Sequence, residues 1–396
     1  MKILVVTQYF WPEEFRINDI CKGLRDAGHE VEVLTGLPNY PSGKIYDGYS
    51  LFKKGPKEYE GIKIKRTIMV PRGKKSSLML GLNYLSFMVF GTMKAIPLLF
   101  KKYDRIFVFQ VSPITSAVPA LLVAKVKKIP SYIYIQDLWP ETLYSIVNIN
   151  NEKIRRVLKK VCNKIYNGFD KLLIASKGYE GILEKEGIEK DKLVYFPQWA
   201  EDFYSNEEKI DKENSDFVVT FAGNIGKAQS VDTIIKSANL AKDNKNIKWQ
   251  IIGDGSEFEN INKLVNEYSL QETVILVGRK PASEMPKYYS SSDALIVTLK
   301  NEDILKVTLP AKVQSYMAAG KPILAAISGE GKRIIKESNC GLVTEAEDFK
   351  GLYNNTIELY NMNVNQRNIL GKCGKDYFSQ NFTREKLLKE LQKILN

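Results

Sequence analysis

Residues 221–230, "FAGNIGKAQS", combine small, polar and cationic side chains directly after an apolar run. Gly223 and Gly226 allow a backbone to approach a ligand closely, and Lys227 adds a positive charge. A buried strand that leads through a glycine turn into a helix presents backbone N–H groups to an anion. With Asn224 inside the turn, the stretch predicts a phosphate or diphosphate site. A solvated lysine in an ordinary turn is the alternative.

Other common phosphate and metal motifs are missing from the sequence. The first predicted strand is not followed by GxGxxG, and no GxxxxGK[ST] occurs. The only histidine, His29, precedes a predicted strand and is interpreted as a turn residue, and the four cysteines lie far apart as reduced, cytosolic thiols. No D-x-D pair is available to bridge a diphosphate through a metal. We therefore predict no metal and no cofactor, with positive charge supplied by the protein itself.

Short apolar runs alternate with helical patterns over the whole chain, which predicts an α/β fold with parallel sheets. The polar segment 195–216 interrupts the alternation and is typical of a linker. We predict two doubly wound, Rossmann-like domains facing a deep interdomain cleft, with ligands at the carboxyl ends of the strands. The predicted domains are 1–197 and 198–375, followed by a C-terminal helix, 376–396, that returns to the N-terminal domain.

The strand and helix predictions are specific enough to compare with a structure. Strands are predicted at 2–8, 31–35, 62–68, 105–109, 131–136, 171–175, 217–222, 248–252, 273–277, 294–298, 322–326 and 341–343. Helices are predicted near 15–27, 77–101, 114–128, 152–167, 178–186, 229–242, 256–268, 283–290, 311–319 and 330–337, and in most of the chain from 346 onward.

The charge is distributed unevenly. Residues 1–197 have a net charge of +13, although the whole chain has +12. Residues 76–93 carry no charge, and basic residues flank the predicted helix over 77–101: Arg72, Lys74, Lys75, Lys101, Lys102 and Arg105. This pattern predicts peripheral attachment to an anionic membrane surface from the cytoplasm. The alternative is a helix that simply covers the sheet. No basic helix with interleaved aromatic residues indicates nucleic acid binding.

Five motifs in order resemble the C-terminal half of family 4 retaining glycosyltransferases with the GT-B fold: "FAGNIG", "IIGDGSE", "VILVGRKPASEMPKYYSSSDALIV", "LPAKVQSYMAAGKPILA" and "GLVTEAED". In the first half, "PEEFRINDICKGLRDAGHEVEVLTGLPNYP" and "YIYIQDLWPET" are similar to the WbuB-like branch, which resembles N-acetyl-L-fucosamine transferases. The resemblance implies a UDP-sugar donor, with an N-acetylated amino- or deoxyamino-sugar, and a lipid-diphosphate-linked saccharide acceptor. It also implies a role in O-antigen or capsule synthesis.

The resemblance implies roles for individual residues. In the C-terminal half, the donor diphosphate, base and sugar are expected at Gly223, Asn224, Gly226, Lys227, Gly253, Arg279, Thr308, Leu309, Pro310 and Lys312. In the N-terminal half, the acceptor is expected at Arg16, Asn18, Gln136 and Glu141. Val307 and Ser315 stand where the family often has glutamates, and Glu302 or Asp303 could replace these carboxylates.

Three residues are predicted to act in catalysis. Breaking a sugar–diphosphate bond builds negative charge on the leaving oxygens, which Lys227, Lys312 and backbone N–H groups can stabilise without a metal. Asp137 is predicted to orient the acceptor or to stabilise charge on the sugar; a capped strand end is its alternative role. Two other functions stay open: a nucleotide-sugar epimerase with two similar domains, and a non-enzymatic basic protein that binds membranes.

Overall fold

The computed structural model describes residues 1–73, 77–147, 149, 151–205 and 216–396, and the chain divides into two compact units. Unit 1 contains Met1–Ala175, Tyr179–Phe196 and Leu388–Asn396. Unit 2 contains Ser176–Gly178 and Pro197–Leu387. Each unit has its own sheet, so each is described separately.

Unit 1 is built on an eight-stranded sheet with the order β3-β4-β2-β1-β5-β6-β7-β8. All neighbouring strands are parallel except β3 and β4. The central strands are continuous apolar runs, as expected for a sheet covered on both faces. The strands are β1 (Lys2–Val6), β2 (Glu30–Thr35), β3 (Glu58–Tyr59), β4 (Ile62–Arg66), β5 (Arg105–Gln110), β6 (Ser131–Ile135), β7 (Lys171–Ile174) and β8 (Leu193–Tyr195).

Six helices of unit 1 lie between these strands in the sequence. The end of the last helix of the chain also belongs to this unit. The six helices are α1 (Arg16–Asp26), α2 (Ser77–Ala95), α3 (Val118–Lys127), α4 (Glu141–Ile146), α5 (Glu152–Tyr166) and α6 (Glu180–Lys185). Short 3₁₀ turns at Ile96–Phe100 and Ile114–Ala117 extend α2 and precede α3. The final residues of the chain are fixed to unit 1 by Arg105, whose guanidinium donates to the carbonyl oxygens of Leu395 and Asn396.

Unit 2 is built on a six-stranded, fully parallel sheet with the order β11-β10-β9-β12-β13-β14. The chain moves outward from β9 to β11 and then returns to the other side of β9, so the strand order reverses between β9 and β12. Ligands of doubly wound sheets bind outside the carboxyl ends at such a reversal. The strands are β9 (Phe217–Ala222), β10 (Ile247–Ile252), β11 (Val274–Gly278), β12 (Ala294–Thr298), β13 (Ile323–Ala326) and β14 (Gly341–Thr344).

Helices cover both faces of this sheet and form two apolar cores. They are α7 (Val231–Leu240), α8 (Phe258–Glu267), α9 (Met285–Ser291), α10 (Asp303–Val307), α11 (Ala311–Ala318), α12 (Glu330–Ser338), α13 (Phe349–Asn361) and α14 (Val364–Asn381). The last helix, α15 (Arg384–Leu395), belongs mainly to unit 1. The C-terminal segment was predicted to begin at 376, but α14 runs through that position, and α15 begins after it. Residues from Leu388 onward belong to unit 1.

The predicted strands all occur within a few residues of their expected positions. The sequence patterns missed the short strand β3, the strand β8 and the short helices α4 and α10, which are too brief to show a clear period. Part of the predicted linker, 206–215, lies outside the described residues, as do Lys74 and Lys75. Cys21, Cys162, Cys340 and Cys373 are free thiols.

Candidate functional site

Three neighbouring strands of unit 2 end in glycines that pack backbone against backbone. The N–H of Gly223 donates to the carbonyl of Ile252, and the N–H of Gly253 donates to the carbonyl of Gly278. Gly253 has a φ of +141°, and a Cβ there would lie 1.8 Å from the carbonyl oxygen of Gly223. The backbones that follow β9 and β10 therefore approach each other so closely at Gly253 that this position admits no side chain.

The turn after β9 leaves backbone donors available to a ligand. Ile225 donates to the carbonyl of Asp254, which fixes the turn to the loop after β10. Within the described part of the chain, the N–H groups of Asn224, Gly226 and Lys227 donate to no acceptor. Such a group of free N–H donors in a glycine turn is suited to bind an anion.

Lys312, in the first turn of α11, reaches the same strand end. Its Nζ lies 3.8 Å from the centre of the Phe221 ring, and a Cβ on Gly223 would lie 2.5 Å from its Cε. No carboxylate or hydrogen-bond acceptor among the described residues is paired with this ammonium. Burial lowers its pKa to about 7. An anion bound beside Gly223 would restore the charge on this lysine.

Tyr316, which lies one helical turn after Lys312, fixes α11 against β9. The backbone N–H of Ala222 donates to its hydroxyl over 3.1 Å, and the hydroxyl faces the carbonyl of the same residue at 3.4 Å. Residues four apart lie on the same face of a helix. The buried tyrosine therefore positions Lys312 over the end of the strand.

Asp137, at the carboxyl end of β6, is the centre of a polar cluster in unit 1. Ser112 donates from Oγ to Asp137 Oδ2 over 2.8 Å, and the indole N–H of Trp139 donates to Ser112 Oγ over 3.1 Å. Burial raises the pKa of the carboxyl group, while bonds from the side chain and the backbone of Ser112 lower it. A carboxylate has several acceptor positions, so this group can also accept a hydrogen bond from a bound hydroxyl.

Aromatic and cationic side chains surround this end of the sheet in unit 1. Tyr84 from α2 packs edge-on against Trp139, with ring centroids 6.3 Å apart. Tyr9 stacks on Phe15 at 5.1 Å, and Arg72 lies over the Tyr40 ring at 5.4 Å. Aromatic faces beside polar groups are a common feature of small-molecule sites.

Comparison with known proteins identifies the second half of the chain. Residues 202–377 match the family model described as Glycosyl transferases group 1. These residues, just under half of the chain, are therefore similar to group 1 glycosyltransferases. Together with the curated relatives, the match supports a transferase of class EC 2.4.

Two curated relatives extend the similarity into the first half. A Pseudomonas aeruginosa protein described as glycosyltransferase WbjE is 25% identical over 63% of this chain and 64% of its own length. An Escherichia coli K12 protein described as a colanic acid biosynthesis glycosyl transferase, WcaI, is 23% identical over 81% of this chain and 82% of its own length. The chain therefore spans just under two thirds of the first relative. The finer resemblance to the WbuB-like branch stays a prediction.

Solved structures show that the chain has the GT-B fold. The Anabaena HepE protein was solved in complex with UDP. Its alignment with this chain includes 100% of this chain and 99% of HepE, with a TM-score of 0.74 at 15% identity. Sucrose-phosphate synthase from Thermosynechococcus elongatus has the same TM-score, with 99% and 97% coverage and 15% identity. At this identity the similarity establishes the fold.

The structure brings most of the predicted donor residues of the glycosyltransferase to one edge of the sheet. Gly223, Asn224, Gly226, Lys227, Gly253 and Lys312 lie at or beside the ends of β9 and β10, and Arg279 follows β11 as an exposed side chain. Thr308, Leu309 and Pro310 connect α10 to α11, just before Lys312. Of the carboxylates suggested as substitutes, Glu302 precedes α10 and is exposed, and Asp303 pairs with Lys306 at 3.0 Å.

The structure refines one detail of the predicted anion site. The helix after the glycine turn does not begin at 229, because Lys227–Gln229 form a 3₁₀ turn and Ser230 has a φ of +46°. The α-helix begins at Val231, and Asp232 in its first turn pairs with Lys236 and Lys300. This acidic residue already complements the positive end of the helix. The free donors are those of the turn itself.

Two of the predicted acceptor residues, Arg16 and Gln136, lie at the buried Tyr134 hydroxyl, whereas Asn18 and Glu141 have other surroundings. Gln136, which directly precedes Asp137, is buried, and its carbonyl accepts from the Tyr179 hydroxyl. Arg16 lies near the buried Tyr134 hydroxyl, to which it contributes a pKa-lowering charge. Asn18 braces its own loop, accepting from the N–H of Trp11 and donating to the carbonyl of Glu13. Glu141 begins α4, where burial raises its pKa.

Glu13 is a buried carboxylate that the sequence analysis did not single out. It accepts from the backbone N–H groups of Asn39 and Tyr40, both over 2.8 Å, and from that of Phe10 over 3.3 Å. Burial raises its pKa to about 7 in spite of these bonds. Glu13 thus joins the loops after β1 and β2. In the sequence Glu13 stands beside Glu14, and nothing in the pattern indicates which of the two is buried.

Replacing Gly253 tests the glycine contact in unit 2. Gly253→Ala places a methyl group against the Gly223 carbonyl at a φ that side chains rarely adopt, so we expect a loss of about 2 kcal/mol or more of unfolding free energy. UDP binding should weaken as well, because the turn moves. Thermal unfolding and UDP titration measure both effects. Gly181→Ala, in α6 with open space around it, is the control, and an equal effect there would contradict this role.

Proposed function

We propose that the protein transfers a sugar from a UDP-sugar to a lipid-diphosphate-linked saccharide, with retention of the anomeric configuration and without a metal ion. The sugar is an N-acetylated amino- or deoxyamino-sugar, and the product belongs to a surface polysaccharide of the O-antigen or capsule type. Unit 2 binds the donor, and unit 1 binds the acceptor.

The observation that carries the donor assignment is the position of Lys312 beside Gly223. A lysine without a carboxylate partner, next to free backbone N–H groups, is arranged for an anionic group such as a phosphate or diphosphate. HepE, which shares the fold, was solved with UDP and with UDP-glucose. A uridine diphosphate donor is the ligand that both observations support.

In the proposed reaction, the bond between the anomeric carbon and the diphosphate oxygen breaks while the acceptor oxygen bonds to the same carbon. The acceptor hydroxyl proton passes to the leaving phosphate oxygen on the same face of the sugar. Lys312 and the free N–H groups stabilise the negative charge that develops on that oxygen. No carboxylate nucleophile is required, in contrast to retaining glycosidases.

The acceptor assignment is supported by the polar cluster of unit 1. The Asp137 carboxylate is held by Ser112 and has further acceptor capacity for a hydroxyl group. The nearby rings of Tyr84 and Trp139 offer apolar faces on which a sugar can pack. WcaI is described by its role in colanic acid biosynthesis, and a Bacillus subtilis relative, TuaH, by a role in teichuronic acid biosynthesis. Both descriptions support a polysaccharide product.

Metal independence gives a direct experiment. We expect UDP to raise the melting temperature equally with and without EDTA, because lysine and backbone donors neutralise the diphosphate. A ligand at about a hundred times its Kd stabilises by about 2.7 kcal/mol. Uridine, which lacks the diphosphate, is the matched control and should shift the melting temperature little. A UDP shift that disappears in EDTA and returns with Mg²⁺ would contradict the proposal.

Product analysis separates transfer from epimerisation. With UDP-sugar alone, the protein should release little product, and a lipid-linked acceptor should be required for turnover. Conversion of the donor to an epimer in the absence of any acceptor would instead support the epimerase alternative.

A further inference from the structure

The buried face of helix α2 combines the polar residues Asn83 and Ser86 with Phe87, Gly91 and Ala95, while its exposed face is apolar. Its buried face carries the polar residues Asn83 and Ser86, which bond to the unit: Gln8 donates to Asn83 over 2.7 Å, and the N–H of Val70 donates to Ser86 over 2.9 Å. A surface helix of a soluble domain usually buries its apolar face and exposes its polar one. The outer face of α2 is therefore an apolar surface that the fold of unit 1 does not cover.

That outer face is a continuous apolar stripe along α2 and the following 3₁₀ turn. Its exposed residues recur every three or four positions: Leu78, Leu82, Leu85, Val89, Met93, Ile96 and Phe100. Leu78 is 73% exposed and Phe100 is 89% exposed. The stripe is about 33 Å long at the rise of a helix. Exposed apolar surfaces of this extent mark sites of contact with a protein or a membrane.

A second exposed apolar stripe lies on α5, and here it is bordered by cations. Ile154, Val157 and Val161 are exposed, with Val157 at 60%. Lys153, Arg156, Lys160 and Lys164 lie within three or four positions of them and are also exposed. None of these four cations pairs with a carboxylate in the described part of the chain. Helices α2 and α5 both contact the 3₁₀ turn at Ile114–Ala117, so they belong to the same layer of unit 1.

We propose that α2 and α5 form a docking face for the anionic leaflet of a lipid bilayer, with the apolar stripes inserted at the interface and the α5 cations on the headgroups. An anionic leaflet of this kind faces the cytoplasm, so the protein is attached peripherally on that side. The charge balance of α5 supports this partner, because Glu152–Tyr166 contain six Lys or Arg and one Glu. This docking face lies in unit 1 and is independent of the proposed donor site.

Two other occupants fit less well. A second copy of the chain, docked by a twofold axis, would bring the α5 cations of both copies into one contact without carboxylates. Insertion of α2 across the bilayer is compatible with its length and composition, and 33% of its most apolar window is buried. However, the bonds of Asn83 and Ser86 hold α2 on the sheet as a surface helix.

The structure corrects the prediction that the cations flanking α2 bind the membrane. Lys101 pairs with the buried carboxylate of Glu32 at 2.6 Å, and Arg105 binds the C-terminal carbonyls. Both have structural partners, so their replacement would test stability rather than attachment. Lys74 and Lys75 lie outside the described residues. The cations available for headgroups are those of α5, together with the exposed Lys102.

Vesicle flotation with the full chain tests the proposal. The protein should bind vesicles that contain phosphatidylglycerol, bind phosphatidylcholine vesicles much more weakly, and dissociate at high salt. The charge variant combines Lys153→Gln, Arg156→Gln, Lys160→Gln and Lys164→Gln. It should lose about a hundredfold or more in partitioning, because each cation near an anionic leaflet contributes about fivefold. The stripe variant, Leu82→Gln with Leu85→Gln and Val89→Gln, should also lose binding.

Matched controls remove the same charge and apolar area from unit 2. They are Lys242→Gln with Lys263→Gln, Lys287→Gln and Lys350→Gln, and Leu240→Gln with Val364→Gln and Ile369→Gln, all at exposed positions. Both controls should float like the parent protein. UDP titration shows that each variant is folded, since donor binding should be unchanged whether or not the docking face is correct.

Three results would overturn the proposal. Equal binding to neutral and anionic vesicles would show that the cations do not contribute to attachment. Parental binding by the charge or stripe variant would place the contact elsewhere. A dimer in analytical ultracentrifugation that the stripe variant dissociates, with no vesicle binding by the parent, would assign the face to a second copy.

Discussion

Replacing Lys312 with alanine is expected to lower kcat/KM by about 10²–10³-fold, the loss typical of one group that stabilises charge in the transition state. Lys312 is held between the Phe221 ring and Gly223 and fixed by Tyr316, so its ammonium is already in place when the donor binds. A preorganised charge of this kind stabilises the leaving phosphate without reorganisation. Steady-state kinetics with the physiological donor, once identified by a donor screen, measure the loss.

Two further variants separate charge from position. Lys227→Ala removes a charge near the same turn, but this side chain is exposed, and no other described side chain fixes it. We expect a smaller loss than for Lys312→Ala. Lys312→Arg keeps the charge but alters its position and should restore only part of the rate. Equal kcat/KM for Lys312→Ala and the parent would remove this lysine from the mechanism.

The pH dependence of UDP binding provides a signature of Lys312. With its pKa lowered to about 7 by burial, the free lysine loses its proton as the pH rises through neutrality, whereas a bound diphosphate favours the protonated form. UDP affinity should therefore fall above about pH 7, with uptake of a proton on binding. Lys312→Gln should abolish this component of the slope, and the remaining slope reports the titration of UDP itself.

The lowered pKa of Lys312 also makes the stability of the ligand-free protein depend on pH, with a slope opposite to that of UDP affinity. Between a pKa of about 7 in the folded state and the ordinary value of 10.5, the unfolded chain binds more protons at this position. The contribution of Lys312 to the free energy of unfolding should thus increase as the pH rises through this window. UDP affinity should therefore decrease with pH while the free energy of unfolding increases. Opposite slopes are expected when a buried cation serves to bind a ligand and does not stabilise the fold.

In unit 2, the sequence predicted the sheet and most of the site because both depend on short-range patterns. Continuous apolar runs mark the buried parallel strands, and the glycines at 223, 226 and 253 mark turns that follow them. The start of α7 could not be predicted from these signals. A left-handed serine at 230 and a 3₁₀ turn before it depend on contacts such as the bond from Thr298 to the Gln229 carbonyl, far away in the sequence.

In unit 1, the sequence predicted the elements but not the grouping of polar residues. Asn18 looks like an acceptor ligand in the sequence, yet its amide is used to brace a loop. Glu13, beside Glu14, gives no sign that it will be buried under three backbone donors. The pairing of Lys101 with the buried Glu32 cannot be seen in the sequence either, since the two residues are 69 positions apart. Long-range pairing of charges is set by packing, and neither composition nor periodicity records it.

Replacing Asp137 with asparagine should reduce turnover by about 10²-fold or more and leave UDP affinity unchanged. Asparagine keeps the shape of the side chain and can still accept from Ser112, but it has no negative charge to bind a hydroxyl or to stabilise positive charge on the sugar. Asp170→Asn is the matched control, because Asp170 also accepts from a serine, Ser131, over 2.9 Å at the opposite end of the strand. It should change stability at most.

A pH profile then distinguishes a role in the reaction from a role in the fold. The bonds from Ser112 lower the pKa of Asp137 and burial raises it, so Ser112→Ala should raise that pKa further. If the ionised carboxylate is required, the acidic limb of kcat/KM should move to higher pH in Ser112→Ala and disappear in Asp137→Asn. A lowered melting temperature in both variants, with parental kcat and an unmoved acidic limb, would show that Asp137 only holds the end of its strand.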